Sequence, residues 1–299
     1  MTDPAGSFEP HRRRLLGLAY RMLGSVAEAE DAVQETYLRW HGADRATVAD
    51  PRAFLMTTTA RICLDILRSA RARRETYVGP WLPEPVVDTA ALSPDTPTEL
   101  AEDLSIALML TLDRLSPLER AAFLLHDVFD CSYSAIATAL GRRESTCRQL
   151  AARARSHVRT ARPRGLSPPA VSDATAAKHA RLVSAFVSAA QSGDLEALTG
   201  LLARDARVIS DGGGKVSAAL NVIVGNDRAA RFLIGVARKG LRDSTARFAL
   251  VNGLPGLIVE GAGGLIQTVA FEIAEDDRIR AVYVVRNPEK LRHLSPATA

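Results

Sequence analysis
The sequence predicts a multidomain protein in which two all-α modules, the second ending in a helix-turn-helix, precede an α+β domain. Three observations carry this prediction. Apolar residues recur at helical spacing from about residue 8 to 162, interrupted by one proline-rich stretch at 75–97. Residues 132–162 join a short helical edge, a glycine and a second amphipathic helix. Beyond Ala203, short apolar or alternating runs are separated by Gly-rich or acidic turns, the pattern of an antiparallel sheet packed on helices.

At 299 residues the chain is long enough for two or three domains. Its net charge of +4 is only mildly basic, so the local sorting of charge is more informative than the total. Residues 131–165 hold eight Arg against one acid, whereas residues 75–130 hold eleven acids against two Arg. Arginine concentrated in one segment favours contact with a polyanion, because neutralised phosphates release condensed counterions. No apolar run reaches the ~18 residues that a bilayer span requires, and the opening residues lack an apolar signal core. A cytoplasmic protein without a membrane partner is expected. Cys63, Cys131 and Cys147 have neither disulfide-framework nor zinc-site spacing and read as buried thiols.

The first module opens with a helix over 8–23, whose Leu15, Leu18, Ala19, Met22 and Leu23 form an apolar face that stops at Gly24. Ser25 and Glu28 have capping-box spacing and start a helix running to about Trp40. Ala29, Ala32, Val33, Thr36, Tyr37 and Trp40 face inward on it, leaving Asp31, Gln34, Glu35 and Arg39 outward. Asp50 and Pro51 start a long third helix with Phe54, Cys63, Ile66 and Leu67 toward a core. Its end is basic: residues 61–74 carry five Arg (Arg61, Arg68, Arg71, Arg73 and Arg74) against Asp65 alone. Such an end either complements the helix dipole or contacts an anion.

Residues 75–97 contain five Pro and no helical period, which marks a tether. Tyr77, Trp81 and Leu82 are large apolar groups that a free tether does not need, so it is expected to dock on a neighbouring surface or pack on the preceding helix. Helices resume at Thr98, and Ser116, Pro117 and Glu119 place a cap, a first-turn proline and a capping-box acid at one start. Ile136 and Leu140 edge the next helix, which Gly141 ends in a left-handed conformation. From Glu144 the last helix runs Cys147, Leu150, Ala151, Ala154 and Val158 along one stripe. Arg142, Arg143, Ser145, Thr146, Arg148, Gln149 and Arg153 occupy its turn and polar side. Arg and Gln form paired hydrogen bonds to base edges, and further arginines suit phosphates, so the segment reads as DNA-binding.

The third domain begins with a helix over 173–190, with Ala176, Ala180, Val183, Phe186, Val187 and Ala190 inward, and a second from Asp194 to about Ala203. ARVIS, ARFALV, GLIVEG, LIQTVAFEIA and RIRAVYVVR follow as strands. His179 and His293 lie near its two ends and no His-acid pair has metal or triad spacing, so no catalytic residue, metal or cofactor is expected. Asp211 and Asp227, in predicted turns, are the acids a reaction would have at hand. In DGGGK, Gly212, Gly213 and Gly214 permit close backbone approach, and Lys215 offers a point charge to the acidic tether or to a helical module. The plain alternative is a hairpin turn, DG being a common turn dipeptide.

Taken in order, these segments resemble the sigma factors of bacterial RNA polymerase. AEAEDAVQETYLRW is similar to the region that binds the polymerase clamp helices, which implies contacts at Asp31, Gln34, Glu35 and Arg39. PRAFLMTTTARICLDILRSARARR is similar to the region that melts and reads the minus-ten element, implying DNA contacts at Arg61, Arg68, Arg71, Arg73 and Arg74. LSPLERAAFLLHDVFDCSYSAIATALGRRESTCRQLAARARSHVR resembles the domain reading the minus-thirty-five element. With no further promoter-reading module, the resemblance is to the extracytoplasmic-function type. Ile62 departs from it, since many relatives carry Asn after the Ala-Arg pair.

The C-terminal part resembles a SnoaL-like domain of the ketosteroid-isomerase type, a cone with an interior cavity. YVGPWLPEP at 77–85, DGGGK at 211–215 and NPEKL at 287–291 occur in order, as in the sigma subgroup with a fused SnoaL-like extension. The resemblance implies regulatory contacts through Tyr77, Trp81, Leu82 and Pro83, through Asp211, Gly212, Gly213, Gly214 and Lys215, and through Asn287, Pro288, Glu289, Lys290 and Leu291. It implies a first sigma domain over 1–76, a tether over 77–97, a second sigma domain over 98–165 and the regulatory domain over 172–294. The extension is taken to replace a separate anti-sigma factor, so the implied partners are core RNA polymerase, promoter DNA and a small ligand in the cavity. Two other readings stay open on the sequence: a ligand-sensing helix-turn-helix regulator, which leaves 27–40 unexplained, and a sigma factor whose cavity binds or turns over a small molecule.

Overall fold
The computed structural model describes residues 4–74, 77–87, 104–161, 173–240 and 244–294. These fall into two compact units, one within Met1–Thr76 and Thr89–Pro168, the other within Tyr77–Asp88 and Pro169–Ala299. The first residues of the tether therefore belong to the C-terminal unit.

The first unit comprises α1 (Pro4–Leu23), α2 (Val26–Gly42), α3 (Pro51–Arg74), α4 (Ile106–Asp113), α5 (Pro117–Phe123), α6 (Tyr133–Leu140) and α7 (Glu144–Ala161). The starts follow from local chemistry. Ser25 Oγ accepts from Glu28 N at 3.1 Å and Asp50 Oδ1 from Ala53 N at 3.0 Å. Ser116 and Glu119 complete both arms of a capping box. After α5 the chain makes a wider turn at Leu124–Val128, with Phe129 N donating to Leu124 O at 3.0 Å.

α3 departs from the single buried stripe expected of it. Leu55, Met56, Ala60, Ile62, Cys63, Leu64 and Leu67 are all buried, whereas Phe54 and Ile66 are only partly so. The cause is two-sided packing, with α1 and α2 on α3 from one module and α5 and α6 from the other. Side chains tie the modules as well. Arg52 Nη2 donates to Phe129 O at 2.7 Å, and the buried Arg120 donates to Met22 O at 2.6 Å and to Asp113 Oδ1 at 3.0 Å.

In the second unit, α8 (Asp173–Ser192), α9 (Leu195–Leu201) and α10 (Asn226–Gly240) accompany six strands: β1 (Leu202–Asp211), β2 (Ile223–Val224), β3 (Thr245–Val251), β4 (Leu254–Gly261), β5 (Gly264–Ile273) and β6 (Ile279–Val285). They order as β2-β1-β6-β5-β4-β3. The sheet is mixed rather than antiparallel, because β1 and β6 run parallel with Ser210 opposite Val284 and Asp211 opposite Val285. Between them the chain travels through β2, α10 and three further strands, the long crossover a parallel pair needs. Val183 and Phe186 of α8, Leu198 of α9 and Ala229 and Ala230 of α10 pack on Val208, Phe271 and Val282 of the sheet. This is the α+β architecture expected above, with a mixed sheet in place of an antiparallel one.

α10 is not among the predicted helices, although Ala229, Ala230, Leu233, Ile234 and Ala237 repeat at helical spacing. It places Asp227 in a first helical turn, exposed and paired with Arg231 at 2.9 Å, instead of in a loop. Asp211, also expected in a turn, is the last residue of β1 and fully buried. Among the described residues no helix is long and apolar enough to cross a membrane. All three cysteines are free and buried, burial pushing the Cys131 thiol up to about 11.

Candidate functional site
The helix-turn-helix is α6, Gly141 and α7. Ser132 Oγ caps α6 by accepting from Ala135 N at 3.2 Å, and Gly141, at φ 60°, turns the chain out of it. Cys147, Leu150, Ala151, Ala154 and Val158 are buried, which fixes the rotation of α7 and leaves Arg142, Arg143, Ser145, Arg148, Gln149 and Arg153 exposed, with Thr146 partly so. Arg148 bonds Glu144 at 2.9 Å and lies 5.1 Å from the centre of the Tyr133 ring. Arg153 reaches back to Glu119 at 2.9 Å. Arg143, Ser145 and Gln149 make no side-chain hydrogen bond among the described residues, so their donors and acceptors face solvent. Arg155 is structural: it forks onto Asp127 at 2.6 and 3.1 Å, and that carboxylate raises the guanidinium pKa.

On α2, Asp31 and Gln34 are exposed, and Glu35 and Arg39 pair at 2.9 Å across one helical turn. On α3 the predicted arginines divide. Arg61 donates from Nε to Ala139 O at 2.9 Å and from Nη2 to Thr138 O, satisfying carbonyls at the end of α6. Arg68 is exposed beside Asp65 at 3.0 Å. The side chains of Arg71, Arg73 and Arg74 lie outside the described residues.

The three motifs YVGPWLPEP, DGGGK and NPEKL converge in the second unit on one buried ion pair. Lys290 Nζ stands 2.7 Å from Asp211 Oδ2, with side-chain exposures of 10% and 0%. Lys290 sits in α11 (Pro288–Leu291), which Asn287 caps by accepting from Glu289 N at 3.1 Å; Leu291 is buried and Pro288 exposed. The pair grips the tether. Asp211 accepts from Tyr77 Oη at 2.5 Å and from Leu82 N at 2.8 Å, while Lys290 also donates to Leu82 O. The ammonium lies 4.9 Å from the Tyr77 ring centre and 4.5 Å from that of Trp81. Burial, together with the Asp211 carboxylate that it donates to, pushes the Tyr77 pKa up. Leu82 and Pro83 are buried.

The glycines shape this latch. Gly213 and Gly214 adopt φ 60° and 71°, and a methyl group on Gly213 would stand 2.2 Å from Asn287 Nδ2. Asn287 Nδ2 donates to Tyr77 Oη at 3.2 Å. Gly212 accepts from Lys215 N at 3.0 Å in the turn, and its own Cβ would meet Val216 O at 2.4 Å. Lys215, expected to offer its charge to the acidic tether or to a helical module, pairs with Glu289 of NPEKL. The cation on the tether is Lys290. Two further grips escape sequence reasoning. Asn252 and Val86 exchange two hydrogen bonds, at 2.7 and 3.1 Å, and His293 Nε2 donates to Pro85 O at 2.8 Å. The Asn-Gly hairpin turn at 252–253 was the available signal for the first.

Two helical modules, one closing with a helix-turn-helix and the other carrying a basic α3 and an acidic-amide α2, define a protein of the sigma-70 class. Residues 8–73 match the family model of Sigma-70 region 2, and residues 105–158 that of Sigma-70 region 4. The chain belongs to the extracytoplasmic-function (ECF) RNA polymerase sigma factors and directs promoter-specific transcription initiation. It is 40% identical over 295 residues to ECF RNA polymerase sigma factor SigJ of Mycobacterium tuberculosis, covering 95% of this chain and 91% of that one. To the probable ECF sigma factor SigI of the same species it is 33% identical over 294 residues, 97% and 95% of the two chains. The crystal structure of M. tuberculosis SigJ superposes with a TM-score of 0.71 at 34% identity, over 96% of this chain and 98% of that one.

Proposed function
We propose that the exposed face of α7 reads the minus-thirty-five element, that the basic end of α3 engages the minus-ten element, and that Asp31, Gln34, Glu35 and Arg39 on α2 hold core RNA polymerase. The C-terminal unit then regulates the factor in cis by gripping the tether that joins the two promoter-reading modules. The observation that carries this reading is the Asp211–Lys290 pair holding Tyr77 and Leu82. Residues 77–88 in free, extended form would span roughly 40 Å, a reach that the latch withholds. In the same state Arg61 is occupied by carbonyls of α6, so the latched form restrains a side chain proposed for DNA. The factor acts in the cytoplasm and needs no dedicated anti-sigma factor, its own extension supplying the restraint.

The C-terminal cavity, in this reading, binds a small molecule and does not transform it. Among the described residues Arg286 is the one ionisable residue of its lining, and arginine is too weak an acid to serve as general acid or base near neutral pH. Pull-down of core polymerase tests the polymerase face. Asp31→Ala with Glu35→Ala should weaken retention while leaving the melting temperature in place, and undiminished retention would reject that face.

A further inference from the structure
The second unit encloses a cavity of about 250 Å³ between the sheet and the helices α8 and α10. Its body is apolar and partly aromatic, walled by Phe186, Phe232 and Phe271 with Leu257, Val259 and Val269. Strand alternation places Gln267 on the same face of β5 as Val269 and Phe271, and Ser210 opposite Val284 on the β1–β6 pair. Gln267 and Arg286 are the chain neighbours of the paired Thr268 and Val285 of β5 and β6, and both line the cavity. Ser210, Gln267 and Arg286 thus bring polar side chains into a lining that is mostly apolar.

Those polar groups are incompletely used. Gln267 is 4% exposed, and its Oε1 has no hydrogen-bond partner among the described residues. Arg286 donates from Nη1 to Ser217 O, but its buried Nε has no partner and no carboxylate pairs with it among the described residues. Burial holds this guanidinium below its ordinary range. An unpaired donor and an unpaired positive charge beside an apolar space each cost free energy, and an anion with acceptor oxygens relieves both. The Gln267 amide needs only a half-turn to present its NH2 group to such an anion.

We propose that this cavity is the binding site for a predominantly apolar small molecule bearing a carboxylate, its head on Arg286 and Gln267 and its body among Phe186, Phe232 and Phe271. The inference rests on the reading in which the C-terminal unit takes a small molecule, and it names the class. Size sets the scale: a cavity of about 150 Å³ accepts benzene, so this one suits a body of about two fused rings. The head would lie next to the latch, because the backbone N–H groups of Arg286 and Asn287 both donate to Asp211 O, at 2.8 and 3.0 Å.

Calorimetric titration of the full chain with 2-naphthoate, 2-naphthol and naphthalene separates the contributions. The expected result is that 2-naphthoate binds about tenfold or more tighter than either neutral probe, with Arg286→Met removing that advantage and Gln267→Leu reducing it. The bound naphthoate should be recovered unchanged. Equal binding of all three probes, or an advantage for naphthoate that survives Arg286→Met, overturns the carboxylate assignment while leaving a small-molecule cavity in place. Binding of none, by a chain with an unaltered melting temperature, overturns both the assignment and the cavity reading beneath it. Arg286→Lys retains the charge, so naphthoate selectivity that persists there and vanishes in Arg286→Met separates loss of charge from loss of fold.

Discussion

Lys290 and Asp211, 79 residues apart in sequence, form a buried ion pair at 2.7 Å whose side chains also bond Tyr77 and Leu82 of the tether between the two sigma modules. Breaking such a pair by removing one partner leaves an uncompensated buried charge, at a cost of about 3–5 kcal/mol. Asp211→Ala should destabilise the C-terminal unit more than Lys290→Met, because Asp211 also accepts from Tyr77 and Leu82. The double variant should cost less than the sum of the two. Chemical denaturation followed by Trp fluorescence measures all three, and strict additivity would show that the residues do not act as a pair.

Gly213→Ala should open the latch from the other side. A non-glycine residue in the left-handed region costs about 1–2 kcal/mol, and here the methyl group also strikes Asn287. Gly235→Ala in α10 is the matched control: apart from its chain neighbours and the helix's own backbone, no heavy atom lies within 4 Å of its added Cβ, so it should stabilise by about 0.5–1 kcal/mol. Thermal melts of the two variants should move in opposite directions.

The latch should also loosen at high pH. Tyr77 has a raised folded-state pKa, so its contribution is fully present below the unfolded value of about 10 and is lost as pH rises above it. Trp81, beside the Lys290 ammonium, reports the change once Trp40 is replaced by Phe. Its emission should hold through about pH 10 and shift only above it, as pH rises toward the raised folded-state value, and Tyr77→Phe should remove the Tyr77-linked part of that shift.

Much of this was legible in the sequence, for reasons that differ by element. The α7 stripe of Cys147, Leu150, Ala151, Ala154 and Val158 is local, and one buried face fixes the opposite one. The caps at Ser25, Asp50 and Ser116 depend on neighbours three residues away. What local pattern does not carry is pairing at a distance. Arg61 reads as part of a DNA-facing helix end, yet it bonds α6, and its neighbour Ile62 is buried, because a second module packs on α3. The three motifs marked the latch, but which lysine meets the tether depends on β1 and β6 lying side by side, a parallel pairing invisible to alternation. Hence Lys290 is the cation on the tether, and Lys215 pairs with Glu289.

Arg148→Ala and Gln149→Ala should each lose about 1–3 kcal/mol of preference for the upstream promoter element, the discrimination of one specific base pairing. Both side chains are exposed on α7, so the fold should be unaffected. Competition binding between matched and scrambled elements reads the effect. A uniform loss on every sequence would mean that these residues touch only phosphates.

The most direct test is run-off transcription with purified core RNA polymerase, comparing the full chain with Lys290→Met. The intact protein should start transcripts at one defined promoter position, and release of the tether should raise their yield without moving the start. Failure of the intact chain to start any transcript with core enzyme, or a yield indifferent to the loss of Lys290, would contradict a sigma factor restrained by its own C-terminal unit.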